Sequence, residues 1–129
     1  MRSGWLTTGS ASAEFEAAFK EVVGADAALA VNSGTAALHI AMAMLRLQPG
    51  EAVVTTPLTF CASANVIEHV GGRVVFADVD PVTLNVSCDQ VERKVSELRA
   101  AGVGVRAILP VHLYGHPCRM DDLVDVANH

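Results

Sequence analysis

Two kinds of segment alternate along this chain. Four short runs, 27–31, 52–55, 73–77 and 105–109, are apolar almost without interruption. They do not alternate apolar with polar residues, so they predict strands buried on both faces, as in a parallel sheet covered by helices. Between them lie helix-length segments. Residues 35–47 are apolar nearly all round and predict a deeply buried helix that stops at Gln48-Pro49-Gly50. Residues 60–70 predict a second helix, following Pro57 and ending at Gly71-Gly72. Ser87-Cys88-Asp89-Gln90 has the spacing of a capping box. It opens a more polar helix with Val91, Val95 and Leu98 on one stripe. An earlier helix, about 13–23, puts Phe15, Phe19 and Val22 on one face and Glu14 and Glu16 near its positive end. A last helix begins near Met120. Strands alternating with helices predict βαβ units and a three-layer α/β sandwich with a mostly parallel sheet, one domain over residues 1–129.

Composition narrows the class. Of 129 residues, 51% are hydrophobic and 18% charged, which excludes a disordered chain. Aromatics are only 5%, so the core is aliphatic. A net charge of -5 argues against a nucleic-acid partner, which needs clustered Lys and Arg. No apolar run approaches the roughly 20 residues of a membrane span, and residues 1–5 lack the apolar stretch of a secretion signal. Cys61, Cys88 and Cys118 form neither a disulfide framework nor a CxxC pair. The expectation is a soluble, cytoplasmic protein.

Ligands of such sheets bind beyond the carboxyl ends of the strands, and three segments reach that edge. The first is Val31-Asn32-Ser33-Gly34-Thr35-Ala36-Ala37. Asn32 or Ser33 can cap the helix, and Gly34 lets a ligand approach the backbone. A helix's first amides have no acceptor within the helix, so with the dipole and the Thr35 hydroxyl this start predicts an anion site, typically for phosphate. An ordinary N-cap beside a glycine turn is the alternative. The segment is neither GxxxxGK[ST] nor GxGxxG, which argues against nucleotide triphosphate and dinucleotide sites. In the second segment, 57–65, Thr59 can cap a helix, Phe60 can stack on a flat cofactor ring, and Ser63 can donate to a ring substituent. The competing place for Phe60 is the core, near Ile67. In the third, 110–118, His112, His116 and Cys118 have the chemistry of metal ligands. No fourth ligand is near, and Gly115 and Pro117 break any helix that would align the two histidines. The better reading is an ordered loop without metal, offering His112 and Tyr114 to a ligand. His39 and His69 read as packed or solvent-facing. Asp78-Val79-Asp80-Pro81 reads as a turn ending a strand rather than a catalytic carboxylate pair.

Several motifs then occur in a telling order: Gly4-Trp5-Leu6-Thr7-Thr8-Gly9, Asn32-Ser33-Gly34-Thr35-Ala36-Ala37-Leu38-His39, Thr59-Phe60-Cys61-Ala62-Ser63-Ala64-Asn65, Asp78-Val79-Asp80-Pro81 and Pro110-Val111-His112-Leu113-Tyr114-Gly115. This set resembles the DegT/DnrJ/StrS-type nucleotide-sugar aminotransferases, which use pyridoxal 5'-phosphate (PLP). The resemblance implies the aspartate-aminotransferase architecture, PLP fold type I, in a homodimer. It implies amino transfer from an amino acid, usually glutamate, to a keto-sugar on a nucleotide carrier, as in amino-sugar and polysaccharide biosynthesis. It also implies that Gly34, Thr35 and Ala36 hold the cofactor phosphate, that Phe60 stacks on its pyridine ring and that Ser63 lies close by. Thr8, His112 and Tyr114 fall on the substrate side. The opening motif leans towards 4-amino sugars.

The sequence departs from the family in extent. Relative to it, residues 1–129 correspond to part of the PLP-binding large domain, shortened at both ends. The family's Asp that pairs with the pyridine nitrogen and its Schiff-base Lys lie beyond residue 129. Lys20 and Lys94, the only lysines, match neither position, so no catalytic residue is assigned and the isolated chain is expected not to transaminate. A sugar dehydratase of the same family, a non-catalytic binding or assembly module and a Rossmann-type enzyme are the alternatives.

Overall fold

A computed structural model describes residues 9–129. The chain forms two compact units, Met1–Gly34 and Thr35–His129.

In the first unit, helix α1 spans Ser10–Val23. It begins three residues before the predicted start, which leaves Glu14 and Glu16 outside its first turn. The helix ends at Gly24, whose φ of 66° is the left-handed conformation that glycine adopts without penalty. Ala25 N then donates to Lys20 O at 3.0 Å. Phe15 and Phe19 stack with ring centroids 5.8 Å apart, on a helix with no buried residue. The expected strand at 27–31 is not formed: among the described residues no strand pairs with it. Ala30 N donates instead to Glu16 Oε1 at 2.8 Å, so a side chain takes an amide that a ladder would have used.

The second unit is built on strands β1 (Ala52–Thr55), β2 (Arg73–Phe76) and β3 (Val105–Leu109). All pair in parallel in the order β2-β1-β3. Helix α2 spans Gly34–Met44, α3 Ala62–His69, α4 Cys88–Ala100 and α5 Met120–Asn128. Side chains of β1 alternate between two aliphatic cores. Ala52 and Val54 pack with Val91, Val95 and Leu98 of α4 and Leu123 of α5. Val53 packs with Val66 and Ile67 of α3 and Met42 of α2. Helices therefore cover both faces of a parallel sheet, giving the three layers expected.

Two details differ from expectation. Helix α2 is not deeply buried, since Met42 is its one buried residue among those described. Its apolar residues run all round, and one stripe alone, Leu38 and Met42, reaches the core. Ser87 does occupy the N-cap of α4, yet its side chain makes no capping bond.

Candidate functional site

The strand order fixes where a ligand fits. From β1 the chain passes through α3 to β2, then crosses by α4 to β3 on the other side of β1. The loops leaving β1 and β3 lead to helices in different core clusters, α3 and α5. In open α/β sheets, ligands bind at the carboxyl edge where the connections diverge in this way.

The floor of that edge is fixed by two buried threonines. Thr55 Oγ1 donates to Leu109 O at 2.8 Å, tying β1 to β3. Leu58 N donates to Thr56 Oγ1 at 3.2 Å, which turns the chain out at Pro57. Phe60 follows and is 76% exposed, so it is not the core residue that packing near Ile67 would require. Thr59 does not cap α3, whose N-cap is Cys61 without a side-chain bond. It lies one helical turn before Ser63 instead, and their hydroxyls meet at 2.9 Å. Ser63 is buried, so this pair lies under the segment that presents Phe60.

Helix α2 begins at Gly34, and Thr35 and Ala36 fall in its first turn, as the anion reading requires. Among the described residues, and leaving aside Ser33, Thr35 and the helix's own nearby backbone, no atom lies within 4 Å of where a Cβ on Gly34 would stand. The Ser33 hydroxyl is 3.4 Å from Asn32 Oδ1. Three residues past α2, Leu47 packs against Gly72, which precedes β2, so the helix leads to the amino edge of the sheet.

Residues 110–119 leave β3 as a tight loop. Cys118 N donates to His112 Nδ1 at 3.0 Å, so the neutral ring carries its proton on Nε2. Cys118 Sγ donates to Val111 O at 3.2 Å. Tyr114 has φ 50°, in the left-handed region, and its side chain is fully exposed. Among the described residues no three His, Cys, Asp or Glu side chains gather as a metal would need.

Asp78 and Asp80 form the expected turn. Asp78 Oδ1 accepts the Val79 N–H at 2.8 Å, and Asp80 Oδ1 accepts the amides of Val82 and Thr83 at 2.9 and 2.7 Å. The Thr83 and Val82 N–H groups hold the Asp80 carboxyl below its ordinary value. His39 and His69, both exposed, face each other with ring centroids 5.9 Å apart.

Sequence reasoning missed Asn85. It is buried, and its side chain ties the turn after β2 to the loop after β3. The available signal was slight, a polar residue between Leu84 and Val86. Thr8, with the rest of 4–8, lies outside the described residues.

A parallel sheet in the order β2-β1-β3 with helices on both faces defines a doubly wound α/β protein. The profile of the DegT/DnrJ/EryC1/StrS aminotransferase family matches residues 1–129, and the chain belongs to that family. The spore coat polysaccharide biosynthesis protein SpsC of Bacillus subtilis is 43% identical over 130 positions, covering 100% of this chain and 32% of SpsC. A GDP-perosamine synthase of Caulobacter vibrioides is 38% identical over 128 positions, covering 98% of this chain and 33% of the synthase. Among solved structures, a DegT DnrJ EryC1 StrS aminotransferase from Brucella abortus superposes with a TM-score of 0.92 at 32% identity, over 98% of this chain and 34% of that one. The PLP form of Spr1654 from Streptococcus pneumoniae, a sugar aminotransferase by its description, has a TM-score of 0.84 at 33% identity, over 97% and 30% of the two chains. The family is PLP-dependent. This chain spans about a third of the length of the curated relatives it matches. Its fold is accordingly part of the α/β architecture of these aminotransferases. No helix among the described residues is long and apolar enough to cross a membrane.

Proposed function

We propose that this sequence supplies part of the PLP-binding large domain of an aminotransferase that moves an amino group from glutamate to a nucleotide-linked keto-sugar. The observation that carries the reading is Phe60, an aromatic ring left 76% exposed five residues past the end of the fully buried strand β1. Burying that ring is favourable, so its exposure at the carboxyl edge suits a flat ligand. The residues present fit PLP. The first turn of α2, with Gly34, Thr35 and Ala36, brings the Thr35 hydroxyl and a positive dipole end to a phosphate dianion.

PLP supplies the electron sink that amino transfer requires. This chain's residues do the binding and orienting. Thr35 and Ala36 anchor the phosphate, Phe60 covers one face of the ring, and the Thr59–Ser63 hydroxyl pair stiffens the segment that carries Phe60. His112, Tyr114 and Thr8 address the nucleotide-sugar. The substrate class draws support from the relatives, a GDP-perosamine synthase and a polysaccharide biosynthesis protein. The same reading makes the enzyme a cytoplasmic homodimer.

The test uses the full-length protein. Thr35→Val removes a charge-assisted hydrogen bond and should weaken PLP binding by about tenfold or more. Phe60→Ala removes the stacking wall and should weaken it by about three- to tenfold. Equilibrium dialysis against PLP reads both, and unchanged affinity in both variants overturns the site. Glutamate-dependent amination of a keto-sugar nucleotide reads the activity. Dehydration of the sugar without amination would replace the reading with the dehydratase.

A further inference from the structure

The turn 78–86 has no role in the site described so far, yet it is heavily built. Asp80 N donates to Asn85 O at 2.9 Å and Leu84 N to Asp80 O at 2.8 Å. Leu84 itself sits at φ 61°, a conformation that a branched side chain adopts only when its surroundings impose it. A single antiparallel bridge, Val79 to Val86, closes the turn at its base. The product of this construction is the placement of one side chain. Asn85, 4% exposed, donates from Nδ2 to His116 O at 2.9 Å and accepts the Leu113 N–H on Oδ1 at 3.0 Å.

Those two bonds span the loop that carries Tyr114 and His112. The loop has few other ties: Gly115 N to His112 O and His116 N to Leu113 O, each 2.9 Å, and the Cys118 bonds to His112 and Val111. The backbone at Tyr114 is in the left-handed region while its side chain is wholly in solvent. A tyrosine gains nothing for the fold in that position, and Asn85 grips the residues on either side of it, Leu113 and His116.

The geometry points to Asn85 as a positioning residue: it holds the 112–116 loop so that Tyr114 and the Nε2–H of His112 meet the nucleotide-sugar. The inference rests on the proposed function and deepens it. Asn85 touches no ligand. It acts by fixing the backbone that presents two ligand-facing side chains, and the Asp80 turn fixes Asn85 in the same way. This gives the Asp78–Asp80 motif a purpose other than acid–base chemistry.

The experiment compares Asn85→Ala, Asn85→Asp and Tyr114→Ala in the full-length protein. Three readouts are taken: hydrogen–deuterium exchange over 110–118, KM for the keto-sugar nucleotide, and the amino-donor half-reaction with glutamate. Asn85→Ala should speed exchange at Leu113 and raise KM by roughly tenfold. It should leave the donor half-reaction and PLP affinity within about twofold. Asn85→Asp keeps the acceptor for Leu113 N–H and loses the donor to His116 O, so its KM should fall between the two. It also carries the test if Asn85→Ala does not fold. If Tyr114→Ala raises KM while both Asn85 variants leave it unchanged, Asn85 is merely structural and the inference falls while the proposed function stands. A parallel loss of both half-reactions overturns the inference in the same way. If Tyr114→Ala leaves KM unchanged, the loop does not face the sugar, and the inference falls. A wild-type protein that never aminates the keto-sugar removes the proposed function, and the inference with it.

Discussion

Asp80 gathers three hydrogen bonds on one carboxylate oxygen, from Val82 N, Thr83 N and the Thr83 hydroxyl. All three favour the charged form, which is why its pKa lies below the ordinary 3.8. The folded chain therefore gains stability from Asp80 above the ordinary carboxylate value, and loses it as the pH falls through the lowered folded one. Asp80→Asn should lower the urea midpoint at about pH 7, and the gap from the parent should narrow as the pH falls below the ordinary carboxylate value. Cysteine chemistry divides along burial in the same residue-by-residue way. Burial pushes the Cys88 and Cys118 thiols up, whereas Cys61 is exposed. Iodoacetamide near neutral pH should modify Cys61 well before the other two, as peptide mass mapping would show.

Among the elements, α3 and the start of β2 are locked together through Ile67 and Gly72. Ile67 is fully buried between α3 and the sheet, so Ile67→Ala should cost about 2–5 kcal/mol in chemical denaturation. A Cβ at Gly72 would run into Leu47 Cδ1 and stand 3.0 Å from Ile67 Cγ2 and 3.2 Å from Ile67 O. Gly72→Ala should therefore destabilise by about 1–3 kcal/mol, because the carbonyl cannot move aside. The sequence signals worked best where an element's partners lie close along the chain. Strands β1, β2 and β3 follow apolar runs flanked by turn residues, α4 follows its stripe of Val91, Val95 and Leu98, and α3 falls between Pro57 and Gly71-Gly72. The run at 27–31 carries the same signal, but a strand also needs a neighbour, which no local pattern guarantees. For α2, apolarity all round said that no face is polar, not which face meets the core. At the candidate site, the helix start at Gly34 and the turn at Asp80 were legible because capping and turn chemistry are local. The exposure of Phe60, the Thr59–Ser63 pair and the reach of Asn85 across 28 and 31 residues depend on tertiary packing.

Among the described residues, exposed apolar side chains include Phe15, Phe19 and Val22 on α1 and Ile40 and Met44 on α2. Exposed apolar patches of this kind favour association. The 129-residue polypeptide purified alone should show a weight-average mass that rises with concentration in sedimentation experiments, and α1 substitutions such as Phe19→Glu should reduce the effect. The strand order β2-β1-β3 also has a consequence for how the chain is made. During synthesis β1, α3 and β2 emerge within a stretch of 25 residues, 52–76, and their pairing closes early. Strand β3 reaches the ribosome exit only after α4, and must then dock on the flank of β1 that has waited open. Until it does, the Thr55 hydroxyl lacks Leu109 O and Asn85 lacks its loop. A nascent chain thus has its first core before it has the carboxyl edge at which a cofactor could be held.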